Sequence, residues 1–375
     1  MSAPLLDALA RTEDQAQLAD AVARFVRDHY DYRAWRAIAD AEPGISAERW
    51  ADMARLGWLG IGLPEADGGF GTLFDALQVV ESLAAGLAAE PLASTTVVCG
   101  DLLARAGSEA QRAQWLPSLL EGRARWALAD AERDVPSTRA EAGASGWRLD
   151  GTKWLVADAP HADHLIVAAQ VEGATALFVV PGSADGVAMQ RLRGFDRRRI
   201  ANVSFQGVAL PDGALLGPPG GKTAALLERA RHRQIAALAA EAAGLGATLL
   251  QMTREYLSGR EQFGVKLATF QVLQHRMVDM AIALEELRTA ARLAALACEA
   301  EAGAAPLVAA AAVAVARTGR KIGREAVQLH GGMGMTDELP VGDYMKRLEA
   351  IALRVGPDDA HLDRLAQSTH SKEEG

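Results

Sequence analysis

The stretch YLSGREQFGVKLATFQ, residues 256–271, separates two long predicted helices and carries the first chemical signal in the chain. Arg260 stands at the end of the first helix, beside a polar residue, an aromatic residue and a turn glycine. A fixed guanidinium next to backbone N–H donors is suited to gripping a pyrophosphate. An arginine in this place also complements the partial negative charge of a helix C-terminus. The spacing alone leaves both interpretations open.

Long helices surround this stretch and dominate the last third of the chain. Apolar residues spaced by three and four positions predict helices over 223–257, 271–301 and 307–329. One face of the second helix is continuously apolar. Its residues are Leu273, Met277, Met280, Leu284 and Leu287. Long helices with weak connections indicate a helical bundle in this part of the chain.

The middle of the chain has a different pattern of apolar residues. From about residue 123, apolar and β-branched residues come in short runs separated by glycine and proline, which predicts a compact β-barrel or sandwich. The first part is again helical by pattern, interrupted by the glycine-dense loop GWLGIGLPEADGGFG at 57–71. The predicted fold is therefore mainly α with a central β domain: a helical domain at 1–122, a β domain at 123–217 and a helical bundle at 218–375.

Composition and charge exclude several functional classes. The 375 residues carry a net charge of −9, which argues against nucleic-acid binding because phosphate neutralisation needs a basic face. Cys99 and Cys298 fit no zinc or disulfide framework, and the eight histidines are scattered, so no metal site is predicted. The longest apolar stretch, 304–316, is too short to span a membrane. Without a secretory signal pattern at the N-terminus, a cytoplasmic protein is expected.

A second glycine-rich motif, QLHGGMGM, follows the third of the C-terminal helices at 328–335. Gln328 could hydrogen-bond a base edge or an amide. The adjacent Gly331 and Gly332 would allow a ligand to approach the backbone closely. A plain glycine cap at a helix end has the same pattern.

Glu241 draws attention because it lies in an apolar helical window, LAAEAAGLG. Its neighbours three and four positions away are alanine, leucine and glycine, so none can pair with it. Its carboxylate is either partnered from elsewhere in the fold, or desolvated with a raised pKa that suits a general base, or exposed on a bland helix face.

Taken together, four segments resemble the acyl-CoA dehydrogenase family over essentially the whole chain. They are WADMARLGWLGIGLPEADGGFG (50–71), LDGTKWLVADAPHADHLIV (149–167), the stretch at 256–271, and LHGGMGMTDELP (329–340). The wording GGMGMTDELPVGDYMKRL near the C-terminus looks most like the small subunits of two-subunit bacterial enzymes such as pimeloyl-CoA dehydrogenase.

The resemblance implies a helix–β–helix fold, a FAD cofactor and an acyl-CoA substrate. A carboxylate removes the α-proton while the β-hydrogen leaves as hydride, which gives the trans-2-enoyl-CoA. Reduced flavin then passes its electrons to an electron-transfer flavoprotein. In this family FAD is bound across a subunit interface, so the resemblance implies a homo-oligomer or a heterotetramer with a larger paralogous subunit.

The resemblance also assigns residues to the part of the FAD site that one chain offers to its neighbour. The pyrophosphate-contacting segment matches Arg260, Gln262 and Phe263, and the glutamine that follows it matches Gln271. The adenine-side segment matches Gln328, Gly331 and Gly332.

The flavin-facing half of the site departs from the family pattern. Within LADAERDVPS (128–137) only Glu132 matches, and Leu155, Val156 and Ala157 replace the usual Trp-Ile-Thr. The position of the commonest catalytic base holds Val355, which cannot accept a proton. The candidate bases are therefore Glu241, on the long helix before the Arg-x-x-Phe-Gly motif, and the adjacent Asp358 and Asp359.

Overall fold

The computed structural model describes residues 12–133, 137–300 and 304–373, and the side chains within these ranges up to residue 368. The chain forms two compact units whose segments alternate in sequence. One comprises Met1–Trp35, Leu77–Ala88 and Ile235–Gly375, and the other comprises Arg36–Ala76 and Ala89–Gln234. The boundaries predicted at residues 122 and 217 do not coincide with these units and stay predictions about sequence-defined domains.

The helices before the sheet are short and well capped. They are α1 Glu13–His29, α2 Tyr32–Asp40, α3 Ala47–Arg55, α4 Leu73–Ala84, a π-helix at Ala93–Gly100, α5 Asp101–Ala106 and α6 Glu109–Leu120. Thr12 and Gln15 form a capping box at α1, and Ser108 and Gln111 form another at α6. Each box satisfies backbone N–H groups that a helix start leaves without partners.

The middle of the chain folds into one seven-stranded sheet. Its strands are β1 Trp126–Ala129, β2 Arg139–Gly143, β3 Gly146–Ala157, β4 His164–Val171, β5 Ala174–Pro181, β6 Val187–Arg193 and β7 Arg199–Leu210. The hydrogen-bonded order is β1-β4-β2-β3-β7-β6, and β5 pairs with β4. The sequence pattern did not predict β2, whose alanines and charged residues favour strands weakly. Its hairpin with β3, in register from Arg139–Asp150 to Gly143–Gly146, holds it in the sheet.

Strands β4 and β5 are buried on both faces along most of their length. Along β4, Ile166 and Ala168 join one apolar core with α5 and α6, while Leu165 and Val167 join a second core on the other face. Successive side chains of a strand point to opposite faces. A strand buried on both faces therefore needs an uninterrupted apolar run, which is the pattern that predicted β4.

Long helices make up the rest of the chain. They are α7 Gly221–Gly259, α8 Gln271–Glu299, α9 Ala304–His330, α10 Val341–Arg354 and α11 Asp358–Glu373, with a two-stranded hairpin of β8 Glu261–Gln262 and β9 Val265–Lys266. The first three helices lie within three residues of the predicted bounds. By length and composition α7 could cross a membrane, but 67% of its most apolar window is buried inside the molecule, as in the core helix of a soluble protein. The mainly α plan with a central β region is confirmed.

Candidate functional site

The stretch at 256–271 forms an exposed hairpin between α7 and α8. Phe263 and Gly264 connect β8 to β9 with φ angles of 54° and 79°. Positive φ at both central residues is the geometry of a type I′ turn, which asparagine and glycine normally occupy. Phenylalanine in this conformation is strained, and its ring is 92% exposed. The turn thus holds an aromatic ring in solvent at a conformational cost, which is typical of a functional position.

Polar side chains around the hairpin are exposed and unengaged. Within the ranges that the structure describes, Arg260, Gln271 and Gln328 have no side-chain hydrogen bond or ion pair. The side-chain amide of Gln262 donates only to the carbonyl of Glu261, at 2.8 Å. These donors are therefore available to a ligand outside this chain.

The glycine motif forms a tight turn at the end of α9. Gly331 has φ of 58° and follows the last helical residue, as a helix-capping glycine does. A Cβ built on Gly331 or Gly332 would meet no atom within 4 Å, so the backbone here faces open space. Gly334 is packed instead, because a Cβ there would lie 2.7 Å from the carbonyl oxygen of Val327. The turn thus serves as a cap and also leaves an approachable backbone.

Glu241 is paired, and its partner lies 106 residues further along the chain. Arg347 on α10 donates from Nε to Oε1 at 2.7 Å and from Nη2 to Oε2 at 2.9 Å. The two side chains are 14% and 5% exposed. Of the alternatives from the sequence, partnering from elsewhere in the fold is the one observed. The interpretation that Glu241 is exposed on a bland helix face is wrong, and so is the interpretation that its carboxylate is desolvated without a partner. A bidentate guanidinium favours the ionised carboxylate.

The other candidate bases lie at the start of α11. Asp358 accepts from Arg317 Nε at 3.0 Å, and Asp359 is exposed. Val355 is buried, and its carbonyl oxygen lies 2.6 Å from Nε2 of His361. Because a carbonyl only accepts, His361 donates from Nε2. Sequence analysis did not single out this buried histidine, since nothing in its local pattern links it to Val355.

The segment around Glu132, called the flavin-facing segment because the resemblance assigns it to the flavin, contains an internal ion pair. The ammonium group of Lys153, which is 2% exposed, contacts the Glu132 carboxylate, and Ser137 and Thr138 donate backbone N–H groups to the same carboxylate. Burial alone would raise the pKa of Glu132, but these hydrogen bonds outweigh it and lower that pKa to about 2. Glu132 is therefore fully engaged within the chain.

The segment that replaces Trp-Ile-Thr contains a bulge in β3. The register with β7 shifts between Lys153 and Val156, and Leu155 has φ of 49° with an exposed side chain. Its N–H donates to Asn202 Oδ1 at 3.0 Å. The bulge contains Trp154, whose ring centroid lies 5.4 Å from the guanidinium carbon of Arg133, and the exposed aliphatic side chain of Leu155.

Metal binding finds no geometric support in the described part of the chain. There, no group of three or more His, Cys, Asp or Glu side chains could hold a metal ion. Both cysteines are buried.

Comparison with known proteins gives a consistent match over the whole length. Family models match 12–123 (acyl-CoA dehydrogenase, N-terminal domain), 129–208 (middle domain) and 226–370 (C-terminal domain). Mitochondrial isovaleryl-CoA dehydrogenase of Pongo abelii is 28% identical, with 96% of this chain and 90% of the relative covered.

Two solved structures show the same fold. A variant of the Tcur3481-Tcur3483 steroid ACAD is 30% identical, with a TM-score of 0.88 over 97% of this chain and 99% of that one. The ChsE4-ChsE5 complex from Mycobacterium tuberculosis is 27% identical, with a TM-score of 0.90 over 96% of this chain and 98% of that one.

Proposed function

The chain belongs to the acyl-CoA dehydrogenase family, and from this premise we propose that it is a subunit of a FAD-dependent enzyme that converts an acyl-CoA to the trans-2-enoyl-CoA. FAD would accept the β-hydrogen of the thioester as hydride. An electron-transfer flavoprotein would reoxidise the enzyme, in the cytoplasm.

The unengaged donors at the surface carry this proposal. We define the clamp as Arg260, Gln262, Phe263, Gln271, Gln328, Gly331 and Gly332. The exposed guanidinium of Arg260 supplies the charge and the paired donors that a pyrophosphate needs. The open backbone at the two glycines leaves room for an adenosine, and the amide of Gln328 can bond a base edge. The clamp therefore fits the adenine and pyrophosphate end of FAD.

An apolar groove supports the oligomeric part of the proposal. It lies between α8 and α9, has a volume of about 730 Å³, and exposes more than half of Val278 and Ile282. Contiguous apolar surface of this kind is typical of protein interfaces. We propose that another chain of the same fold covers it, either a second copy or a larger paralogous subunit. The ChsE4-ChsE5 complex, named as a pair of proteins, is consistent with the latter.

Glu241 is the base to test first, with Asp358 and Asp359 as alternatives. Its carboxylate accepts two hydrogen bonds from Arg347, so a proton would be accepted in competition with that pairing. Asp358→Asn and Asp359→Asn test the two alternatives, and the former also removes an ion pair to Arg317 at the start of α11. If Glu241→Gln abolishes acyl-CoA-dependent flavin bleaching in folded protein and neither Asp358→Asn nor Asp359→Asn does, Glu241 is the base. Unchanged bleaching in Glu241→Gln excludes it.

A second candidate function is favoured by the closed flavin segment. The carboxylate of Glu132 is paired with the ammonium group of Lys153, and Leu155 lies in the bulge of β3. Val355, at the position of the usual base, cannot accept a proton. On these observations rests the alternative proposal of a chemically silent subunit that completes the FAD site of a larger partner.

A visible spectrum of the chain purified alone separates the two functions. Stoichiometric flavin that bleaches on addition of an acyl-CoA supports the catalytic subunit. A colourless protein that takes up FAD only after mixing with its partner supports the silent one. In both cases Arg260→Ala should lower FAD occupancy of the assembled protein. Wild-type occupancy in that variant would contradict the clamp.

A further inference from the structure

The end of α7 and the end of α9 meet in an aromatic stack. The ring centroids of Tyr256 and His330 are 4.5 Å apart, and the ring planes are inclined by 30°. His330 is buried, and its Nδ1 lies 2.8 Å from the carbonyl oxygen of Ala326. Because that oxygen only accepts, the proton is on Nδ1. The hydrogen bond and the stack together fix the orientation of the imidazole ring.

Each ring belongs to a residue that is directly connected to a segment of the clamp, Tyr256 by a backbone hydrogen bond and His330 by a peptide bond. The carbonyl oxygen of Tyr256 accepts the N–H of Arg260 at 2.8 Å, and the Arg260 carbonyl accepts the N–H of Leu267 at 2.9 Å, which closes the base of the hairpin. His330 directly precedes Gly331. A Cβ on Gly334 would lie 3.1 Å from the Cβ of His330, so the glycine turn folds back onto this residue. A shift of either ring therefore shifts its clamp segment.

We infer that Tyr256 and His330 are positioning residues that hold the hairpin and the glycine turn at the separation required by the adenine and pyrophosphate of a dinucleotide. The inference rests on the proposed function and deepens it. Among the described residues, the side chains of Arg260, Gln271 and Gln328 have no internal partner and Gln262 bonds only the adjacent Glu261 carbonyl, so no side-chain contact of these donors fixes the separation of the two clamp segments. Preorganisation by buried neighbours lowers the entropy that binding would otherwise cost.

ADP is the probe that tests this role, because it carries the adenine and the pyrophosphate but no flavin. Binding is measured by calorimetry on the protein in its native assembly, with FMN as the second ligand. We expect Tyr256→Ala and His330→Ala each to raise the Kd for ADP roughly tenfold, and Tyr256→Phe, which keeps the ring, to stay within about twofold. The double alanine variant should be no weaker than either single variant, because both disrupt one stack. FMN affinity should not change.

A second stack provides a matched control. Trp126 and His164 in the sheet unit have centroids 4.6 Å apart and planes inclined by 31°. His164→Ala should lower the thermal stability of its unit and leave the Kd for ADP at the wild-type value. Thermal unfolding of every variant identifies those that fail to fold, and Tyr256→Phe, with its ring retained, keeps the test valid.

The outcomes separate this inference from the proposal beneath it. If Arg260→Ala weakens ADP binding while Tyr256→Ala and His330→Ala bind like the wild type, the positioning role is wrong and the clamp stands. Tyr256→Phe as weak as Tyr256→Ala would also contradict the positioning role of the stack. If Arg260→Ala binds ADP like the wild type, the clamp is wrong and the inference falls with it.

Discussion

The clamp and the flavin-facing segment treat their charged residues in opposite ways. In the clamp, Arg260 is exposed and has no partner among the described residues. In the flavin-facing segment, the Glu132 carboxylate receives the Lys153 ammonium and two backbone N–H groups. Both segments match the family in sequence position. A residue's match to a motif therefore does not tell whether its side chain is available, because availability depends on what the fold places beside it.

The largest expected effect on stability comes from removing the Glu132–Lys153 ion pair. Glu132→Gln leaves the Lys153 ammonium buried without its carboxylate, which should lower the free energy of unfolding by about 4 kcal/mol. Replacing both residues, as in Glu132→Gln with Lys153→Met, should restore most of that loss because no buried charge remains. Chemical denaturation measures both. A single variant as stable as the wild type would contradict the internal pairing.

Acid should weaken the same ion pair, because Glu132 becomes protonated. The folded-state pKa of Glu132, about 2, is below its ordinary value of 4.5. The pair's contribution is therefore fully present above pH 4.5 and is lost as the pH falls from 4.5 towards 2, by up to about 3 kcal/mol. Denaturation curves over this pH range, compared between the wild type and the double variant, isolate the contribution. Identical pH dependence in the two proteins would exclude it.

A substitution in the clamp should have the opposite pattern of effects, with little change in stability and a large change in FAD affinity. Arg260→Ala removes a charged donor that stabilises nothing inside the chain, so thermal stability should hardly change. Affinity for FAD should fall roughly 30-fold, as expected for lost charge-assisted hydrogen bonds. Arg317→Ala is a matched control, because Arg317 already pairs with Asp358 at 3.0 Å. It should leave FAD affinity unchanged. If Arg260→Ala destabilises the chain and binds FAD normally, the contrast between the regions fails.

The smallest expected effect is at the tip of the hairpin. Phe263→Asn places a residue suited to positive φ in the turn and should stabilise the chain by about 0.5 kcal/mol. It should also weaken FAD binding, because the exposed ring is lost. Melting temperature and FAD affinity measured on the same sample test whether function is retained there at the expense of stability. A variant that loses both would show that the edge-on contact between the Phe263 and Phe270 rings, whose centroids are 6.3 Å apart, stabilises the chain more than the strained turn destabilises it.

Periodicity and motif order predicted most of the fold. The spacing of apolar residues predicted the long helices, and uninterrupted apolar runs predicted β4 and β5. Strand β2 was missed because its register comes from pairing with β3 rather than from its own residues. The clamp was assigned by resemblance from two local motifs, 256–271 and 328–335, and its role stays a prediction.

The remaining details of the site depend on contacts between distant segments. The partner of Glu241 is Arg347, and no helical spacing links them. Lys153 lies 21 residues after Glu132, on β3, whereas Glu132 lies in the loop that follows β1. Tyr256 and His330 meet only because two helix ends converge. Such pairings are decided by tertiary packing, which single-sequence patterns do not contain.

The exposed ring of Phe263 has a consequence for how the protein is made. Together with Met335 and the apolar groove beside α8, it gives a newly synthesised chain several adhesive surfaces before any partner arrives. In the heteromeric assembly proposed above, copies produced in excess of the larger subunit would be substrates for chaperones and proteases. Balanced synthesis of the two proposed subunits should then raise soluble yield more than any increase in the expression of one.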